Sequence, residues 1–189
     1  YKEPKRDVDE NESLADSLKK VVTNTATVLK DTNFVIFLII MVGMWTMYMQ
    51  LFFTVPVYIT QWIDTNGIFT SLPQFLKSLI GSVEDGRGLI RPELMINIPA
   101  LTIIAFQLIV STQLNKVKPI VSMFFGIFVI AVAYIQMSHS TTGIMIVIAL
   151  FVLAFGEMAS SPRIQEYIGR IAPKEKVALY MGYSFLPVA

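Results

Sequence analysis

Four stretches of this chain carry no charged residue and are predominantly apolar. They are "FVIFLIIMVGMWTMYMQLFFTVPVYI", "LMINIPALTIIAFQLIV", "IVSMFFGIFVIAVAYI" and "GIMIVIALFVLAF". A bilayer hydrocarbon core of about 30 Å takes about 20 residues of helix. With mildly polar flanks, each stretch is long enough to cross. The alternative, four helices buried in a soluble core, needs far more polar surface sequence than this chain has. Its hydrophobic residues make up 54% of 189, against about 45–50% apolar in a soluble domain. The expected class is therefore an all-α integral membrane bundle.

The remaining composition narrows the function. Cysteine is absent, so no disulfide framework or thiolate metal site is expected. A net charge of +1 gives no reason to expect a nucleic-acid partner. No metal-ligand spacing, Walker loop, glycine-rich phosphate cradle or nucleophile–base pair stands out. An enzyme, a cofactor and a metal are accordingly not expected. The first apolar stretch follows a charged segment and exceeds a signal-peptide core. The sequence lacks an initiator Met and ends on "VALYMGYSFLPVA", about 20 Å of helix at 1.5 Å per residue. It is expected to be a piece of a larger protein.

Residues 1–32 are polar and mixed in charge and read as a cytoplasmic linker, disordered at first. From Ser13, the apolar residues Leu14, Leu18, Val21, Val22 and Leu29 recur near helical spacing, with Ser13 a candidate N-cap. That pattern fits either an amphipathic helix on the membrane surface or a solvated tether. The first spanning helix is expected over 33–63, roughly 45 Å long, with a kink at Pro56. A long connection follows over 64–92, with a short interfacial helix in "IFTSLPQFLKSLIGSV" and a turn at "EDGRG". Further helices are expected over 93–114, 120–137 and 142–171. The third has few polar residues and reads as peripheral and lipid-facing. Twelve of the fifteen Lys and Arg residues fall on the side of the amino-terminal segment. The positive-inside bias places that side in the cytoplasm and 64–92 outside.

The last spanning helix poses the functional question. No stop signal follows Glu157 until "IAPKEK", and a membrane helix tolerates the single Pro162. Glu157 then lies near the middle of the span. An acidic residue at bilayer centre costs about 2.5–3.5 kcal/mol on insertion scales. Such residues usually face a bundle interior or a watery path. Glu157 is thus a candidate proton-binding group or a holder of a cationic ligand; the bland alternative is a packing contact. Ser160, Ser161 and Gln165 follow it at steps of three and four. On the first spanning helix, Thr46, Gln50, Thr54 and Tyr58 recur every four residues. That stripe lines a cavity or bonds to neighbouring helices. Arg163 and Glu166, with Arg170, form an inner charged group, either anchoring the helix end or acting as a cytoplasmic gate.

"GEMASSPRIQEYIGRIAPKEKVALYMGYSFLPVA" resembles the tenth-to-eleventh helix region of the proton-dependent oligopeptide transporters, within the major facilitator superfamily. Gly156-Glu157, Ser161-Pro162, Ala172-Pro173, Met181-Gly182 and Phe185-Leu186 follow that family's order. "IRPELMINIP", through Pro92, Glu93 and Asn97, is similar to the start of its eighth helix, and Gln50 sits where its seventh commonly has a glutamine. The resemblance implies helices seven to ten and the start of eleven over 33–189, with 1–32 linking them to a six-helix half outside this sequence. It implies uptake of di- or tripeptides with protons across the plasma membrane by alternating access. Glu157 would serve coupling and the peptide's amino end. Gln50, Thr46, Thr54, Asn97 and Ser161 are the further substrate-binding candidates, and Arg163 with Glu166 the gate. The sequence departs from the family pattern at Met49 and Ser184, and in the added charges of Arg163 and Glu166. A facilitator of another small solute, and a membrane scaffold without transport, are the alternatives.

Overall fold

The structure is a computed structural model that describes residues 14–84 and 86–188. The expectations for residues 1–13, including the Ser13 cap, lie outside that range. Helix α1 spans Leu14–Leu29, and α2 spans Thr32–Trp62. Two short helices, α3 (Asn66–Ser71) and α4 (Gln74–Ile80), precede a two-stranded antiparallel hairpin of β1 (Gly81–Glu84) and β2 (Arg87–Ile90). Helices α5 (Pro92–Met95), α6 (Ile98–Leu114), α7 (Pro119–Ser138), α8 (Gly143–Ile171) and α9 (Val177–Tyr183) complete the chain, with short 3₁₀ turns at Lys174–Lys176 and Leu186–Val188. Helix makes up 82% of the structure. Four segments are long and apolar enough to cross a membrane: Thr32–Trp62, Pro92–Leu114, Pro119–Ser138 and Gly143–Ile171.

The spans begin and end where the chemistry of the chain says they should. Asp31 caps α2, its Oδ1 accepting from the backbone N–H of Asn33 and Phe34, and so satisfies two donors that every helix start leaves free. Pro92, Pro99 and Pro119 lie in the first turns of their helices, where a missing N–H costs nothing. Inside α2 and α8, Pro56 and Pro162 interrupt one backbone bond each, yet both helices run on. The expected interfacial helix is two helices, because Pro73 cannot continue α3 and its ring restricts Leu72 to extended backbone. The expected turn joins the two strands, and Gly86 supplies its left-handed conformation at φ 74°.

Helix α8 is the most buried of the spans and α6 the least. The third spanning helix shows the expected outward side, with Phe124, Phe125, Phe128 and Ile135 exposed, and also a packed side that its composition did not announce. That helix, α7, packs along α8 more extensively than any other pair of elements. Its residues Ser122, Met123, Gly126, Ile130, Ala133 and Met137 are buried and recur at three and four residue steps, forming one face. At the crossing the backbones nearly touch. A Cβ on Gly126 would lie 2.5 Å from the Gly156 carbonyl oxygen, and one on Gly156 would lie 2.7 Å from that of Gly126. Small residues permitting this approach are the usual means of joining helices in lipid, where no hydrophobic drive separates them from their surroundings. The Ser122 hydroxyl seals the contact by donating to the Ala159 carbonyl at 2.7 Å.

Two apolar clusters fill the interior. One joins α2, α7 and α8 through Leu51, Val55, Ile59, Ile130, Leu150 and Leu153. The other lies near the amino end of α2 and the carboxyl end of α8, around Val28, Phe34, Met41, Ile164, Ile168 and Tyr180. Between them lies the level of Glu157.

Candidate functional site

Glu157 is the fifteenth of 29 residues in α8, so about 21 Å of helix precedes it at 1.5 Å per residue. The helix continues well past it, and the carboxylate belongs to the span rather than to a helix end. A cavity of about 20 Å³ adjoins it, lined by Met44, Trp45, Tyr48, Ile130, Glu157, Ser160 and Ser161. That is room for about one water molecule. The Oε2 atom of Glu157 is buried without a hydrogen-bond partner, and so is the hydroxyl of Tyr134. The Tyr48 hydroxyl stands within hydrogen-bonding range of the carboxylate and Tyr134 within electrostatic range. Unsatisfied buried polar atoms are costly, and two of them around one carboxylate mark a place where the packing has not been optimised for stability alone.

A second cavity of about 240 Å³ is lined by Gln50, Thr54, Val55, Tyr58, Tyr134, Met137 and Ser138. Its polar groups are partly tied to one another. The Thr54 hydroxyl donates to Gln50 Oε1, Gln50 Nε2 donates to the Thr46 carbonyl at 3.3 Å, and the Tyr58 hydroxyl donates to the Ser140 carbonyl at 3.0 Å. None of the lining residues is charged. Tyr134 belongs to both places, lining this cavity and interacting with Glu157, so it stands between them.

The residues expected to act together are therefore divided. Ser161 shares the Glu157 cavity, while Gln50 and Thr54 line the other. Thr46 is exposed, because at about 100° per residue it points well away from Tyr48, two positions on. Asn97 is exposed at the break between α5 and α6, its Nδ2 donating to the Glu93 carbonyl at 2.6 Å. Ser160, expected on the face of Glu157, does line its cavity, while sequence reasoning missed Tyr48 and Tyr134. Met44, Trp45 and Tyr48 sit at the spacing of one helical face, a signal that was readable once Glu157 needed neighbours.

Toward the end of α8, Arg163 is buried although charged. Its Nη1 donates to Glu166 Oε2 at 2.5 Å and its Nη2 to Asn115 Oδ1 at 3.0 Å. Glu166 Oε1 also accepts from Arg170 Nη2 at 2.6 Å. One carboxylate thus holds two guanidinium groups, and Arg163 ties α8 to the end of α6.

These features define an α-helical membrane protein with an ionisable group inside one span. No protein-family model matches the sequence, and no curated protein matches it.

Proposed function

We propose that this chain is the C-terminal half of a proton-coupled transporter of the major facilitator type, importing small peptides by alternating access across the plasma membrane. The observation that carries this reading is the position of Glu157. It sits midway along an apolar helix, beside a water-sized space, with one oxygen unpartnered. A carboxyl group so placed changes its charge at a large free-energy difference between wet and dry surroundings. A transporter needs such a group, since opening to either side alternates its solvation.

The face presented by α2 supports the same reading. Thr46 and Thr54 are exposed, and Gln50 is half-buried, so this polar stripe is not consumed by packing within the bundle. A helix facing lipid alone gains nothing from such a stripe. A helix lining a path shared with a second bundle uses it to offer hydrogen bonds to a solute. In the mechanism, Glu157 in its charged form holds the substrate ammonium, or a proton in its place. Gln50, Thr54, Ser161 and Thr46 hydrogen-bond the substrate, with Asn97 at the far end of the path. Rocking of the two bundles then exposes the site to the cytoplasm. The Arg163–Glu166–Arg170 group closes the cytoplasmic end in one state and separates in the other.

Replacing Glu157 by Gln in the full-length protein tests this. Gradient-driven uptake of a dipeptide into proteoliposomes is expected to fall at least about 100-fold, the size typical of losing an essential proton-transfer group. Uptake at the native rate would remove Glu157 from the mechanism.

A second reading, a transporter of an uncharged solute such as a sugar or nucleoside, is favoured by one specific observation. The larger cavity offers an amide and hydroxyls but no cation to meet a peptide's carboxylate. Competition by dialanine against a panel of neutral solutes separates the two. If no peptide competes, the neutral-solute reading stands.

A further inference from the structure

Helix α1 presents an apolar surface that its own bundle does not use. Leu18, Val22 and Leu29 are 66%, 67% and 53% exposed. At about 100° per residue they fall within about 40° of one another on the helix. The neighbouring edge of the same helix is occupied. Val28 is fully buried in the cluster of Phe34, Ile168 and Tyr180, and the Thr25 hydroxyl meets the Tyr183 hydroxyl at 2.5 Å. The bundle therefore fixes the orientation of α1 by one edge and leaves the other turned outward.

Two further facts say what that outward edge meets. Only Lys30 and Asp31 separate α1 from α2, which crosses the membrane. The apolar surface then continues on α2, where Ile36 and Ile39 are exposed. Lys19, exposed on α1, lies on the shoulder of the stripe and Asp16 on its far side, and Lys30, also exposed, stands in the turn directly after the helix. An apolar strip with one lysine on its shoulder and another just past its end, held at the end of a membrane span, is the arrangement of a helix lying in the headgroup layer. The lysine stems run along the apolar surface and their ammonium groups reach the phosphates. The twelve-to-three bias of basic residues puts this end on the cytoplasmic side, whose leaflet is the negatively charged one.

We propose that α1 is an interfacial helix whose Leu18–Val22–Leu29 edge inserts into the cytoplasmic leaflet, and that Lys19 and Lys30 bind anionic lipid headgroups there. This inference does not depend on what the protein carries. It would hold α2 and, through Thr25 and Tyr183, α9 at a fixed height in the membrane.

These 189 residues hold no cysteine, so one introduced among them is the only label site there, and any cysteine elsewhere in the full-length protein is replaced by Ser beforehand. A Val22→Cys variant of the full chain is labelled with a polarity-sensitive fluorophore and reconstituted into vesicles, one set of phosphatidylcholine alone and one containing one-third phosphatidylglycerol. A Thr23→Cys variant, labelled about 100° round the helix and off the apolar edge, serves as the reference. The expected result in the anionic vesicles is blue-shifted emission at position 22, with quenching by lipids spin-labelled near the headgroup and at least threefold less quenching by iodide than at position 23. Pairing Lys19→Gln with Lys30→Gln should reduce lipid quenching severalfold in anionic vesicles and leave it unchanged in neutral ones. Equal iodide quenching at 22 and 23 would overturn the proposal, as would shielding of position 22 from both quenchers, which means that protein covers the stripe. Lipid quenching equal in both vesicle types and indifferent to the lysine changes would overturn the anionic-headgroup part.

Discussion

Along α8 the seam with α7 is closed by backbone against backbone, while the seam with α2 is filled by side chains around a carboxylate. Gly126 and Gly156 bring the first pair together, and Ser122 satisfies its hydroxyl within the contact. In the second, Met44, Trp45 and Tyr48 surround Glu157, a water-sized space remains, and Oε2 and the Tyr134 hydroxyl lack partners. The two seams share a helix and a depth, so lipid environment does not explain the difference. The tight seam has the properties of a fixed joint. The loose one keeps polar groups under-satisfied, as a surface does when it must bind or move. One half of α8 is a scaffold for the other.

The sharpest way to break this comparison is to disturb the tight seam. Gly126→Val should destabilise the bundle by about 3 kcal/mol, the upper end for forcing carbons into a packed interior, because the new Cβ would meet the backbone of α8 rather than a side chain that can turn aside. A fall of several degrees in the unfolding midpoint in detergent checks it. An unchanged midpoint would mean that the joint is not tight.

The opposite sign is expected at the loose seam. Glu157→Met removes a carboxylate with a partnerless oxygen and keeps a flexible chain of similar reach. Stability should rise by about 2 kcal/mol, within the range for leaving a buried polar group unsatisfied, while coupled uptake is lost. A higher unfolding midpoint in an inactive protein is the signature. Reduced stability would show that Glu157 is a packing element and that the two seams do the same job.

A smaller effect is expected where α2 begins. Asp31→Ala removes the helix cap and the acceptor of the Tyr180 hydroxyl, whose bond to Oδ2 is 3.0 Å. The loss should be about 1 kcal/mol, the usual value for such a cap, and hydrogen exchange at the first turn of α2 should speed up more than exchange near Glu157. Equal acceleration at both places would couple the cap to the site.

How far these features could be read from the chain follows from what each depends on. The four spans were legible because they need only length and low polarity, and their ends agree with the structure to within a residue or two for three of them. The fourth, expected over 93–114, is broken at Ile96 and Asn97 before α6 resumes, as Pro99 two residues on disfavours continuity. The hairpin was not legible. Its strands are four residues each, too short for alternation to show, and the Asp-Gly pair gave only the turn. The apolar composition of α7 told of its lipid-facing side and not of its packed one. The small residues Ser122, Gly126 and Ala133 on one face carried the signal, which is spacing rather than polarity. Glu157 was legible as an anomaly. Its tyrosine neighbours were not, because Tyr48 and Tyr134 come from different helices and only packing brings them together.

An effect no larger than that of the cap is the most discriminating. Ser122→Ala deletes a buried donor to the Ala159 carbonyl, which keeps its place in the helical ladder and so is not stranded. The cost should be about 1 kcal/mol, that of one ordinary hydrogen bond. Its use lies in combination with Glu157→Met. If the seams are separate, the two changes add to within about 0.5 kcal/mol, one lowering stability and the other raising it. A larger coupling would mean that the bond from α7 to Ala159 supports the turn of α8 that carries Glu157 and Ser161. The joint and the site would then be one mechanical unit, and the division between scaffold and working surface would have to be drawn across α8 rather than along it.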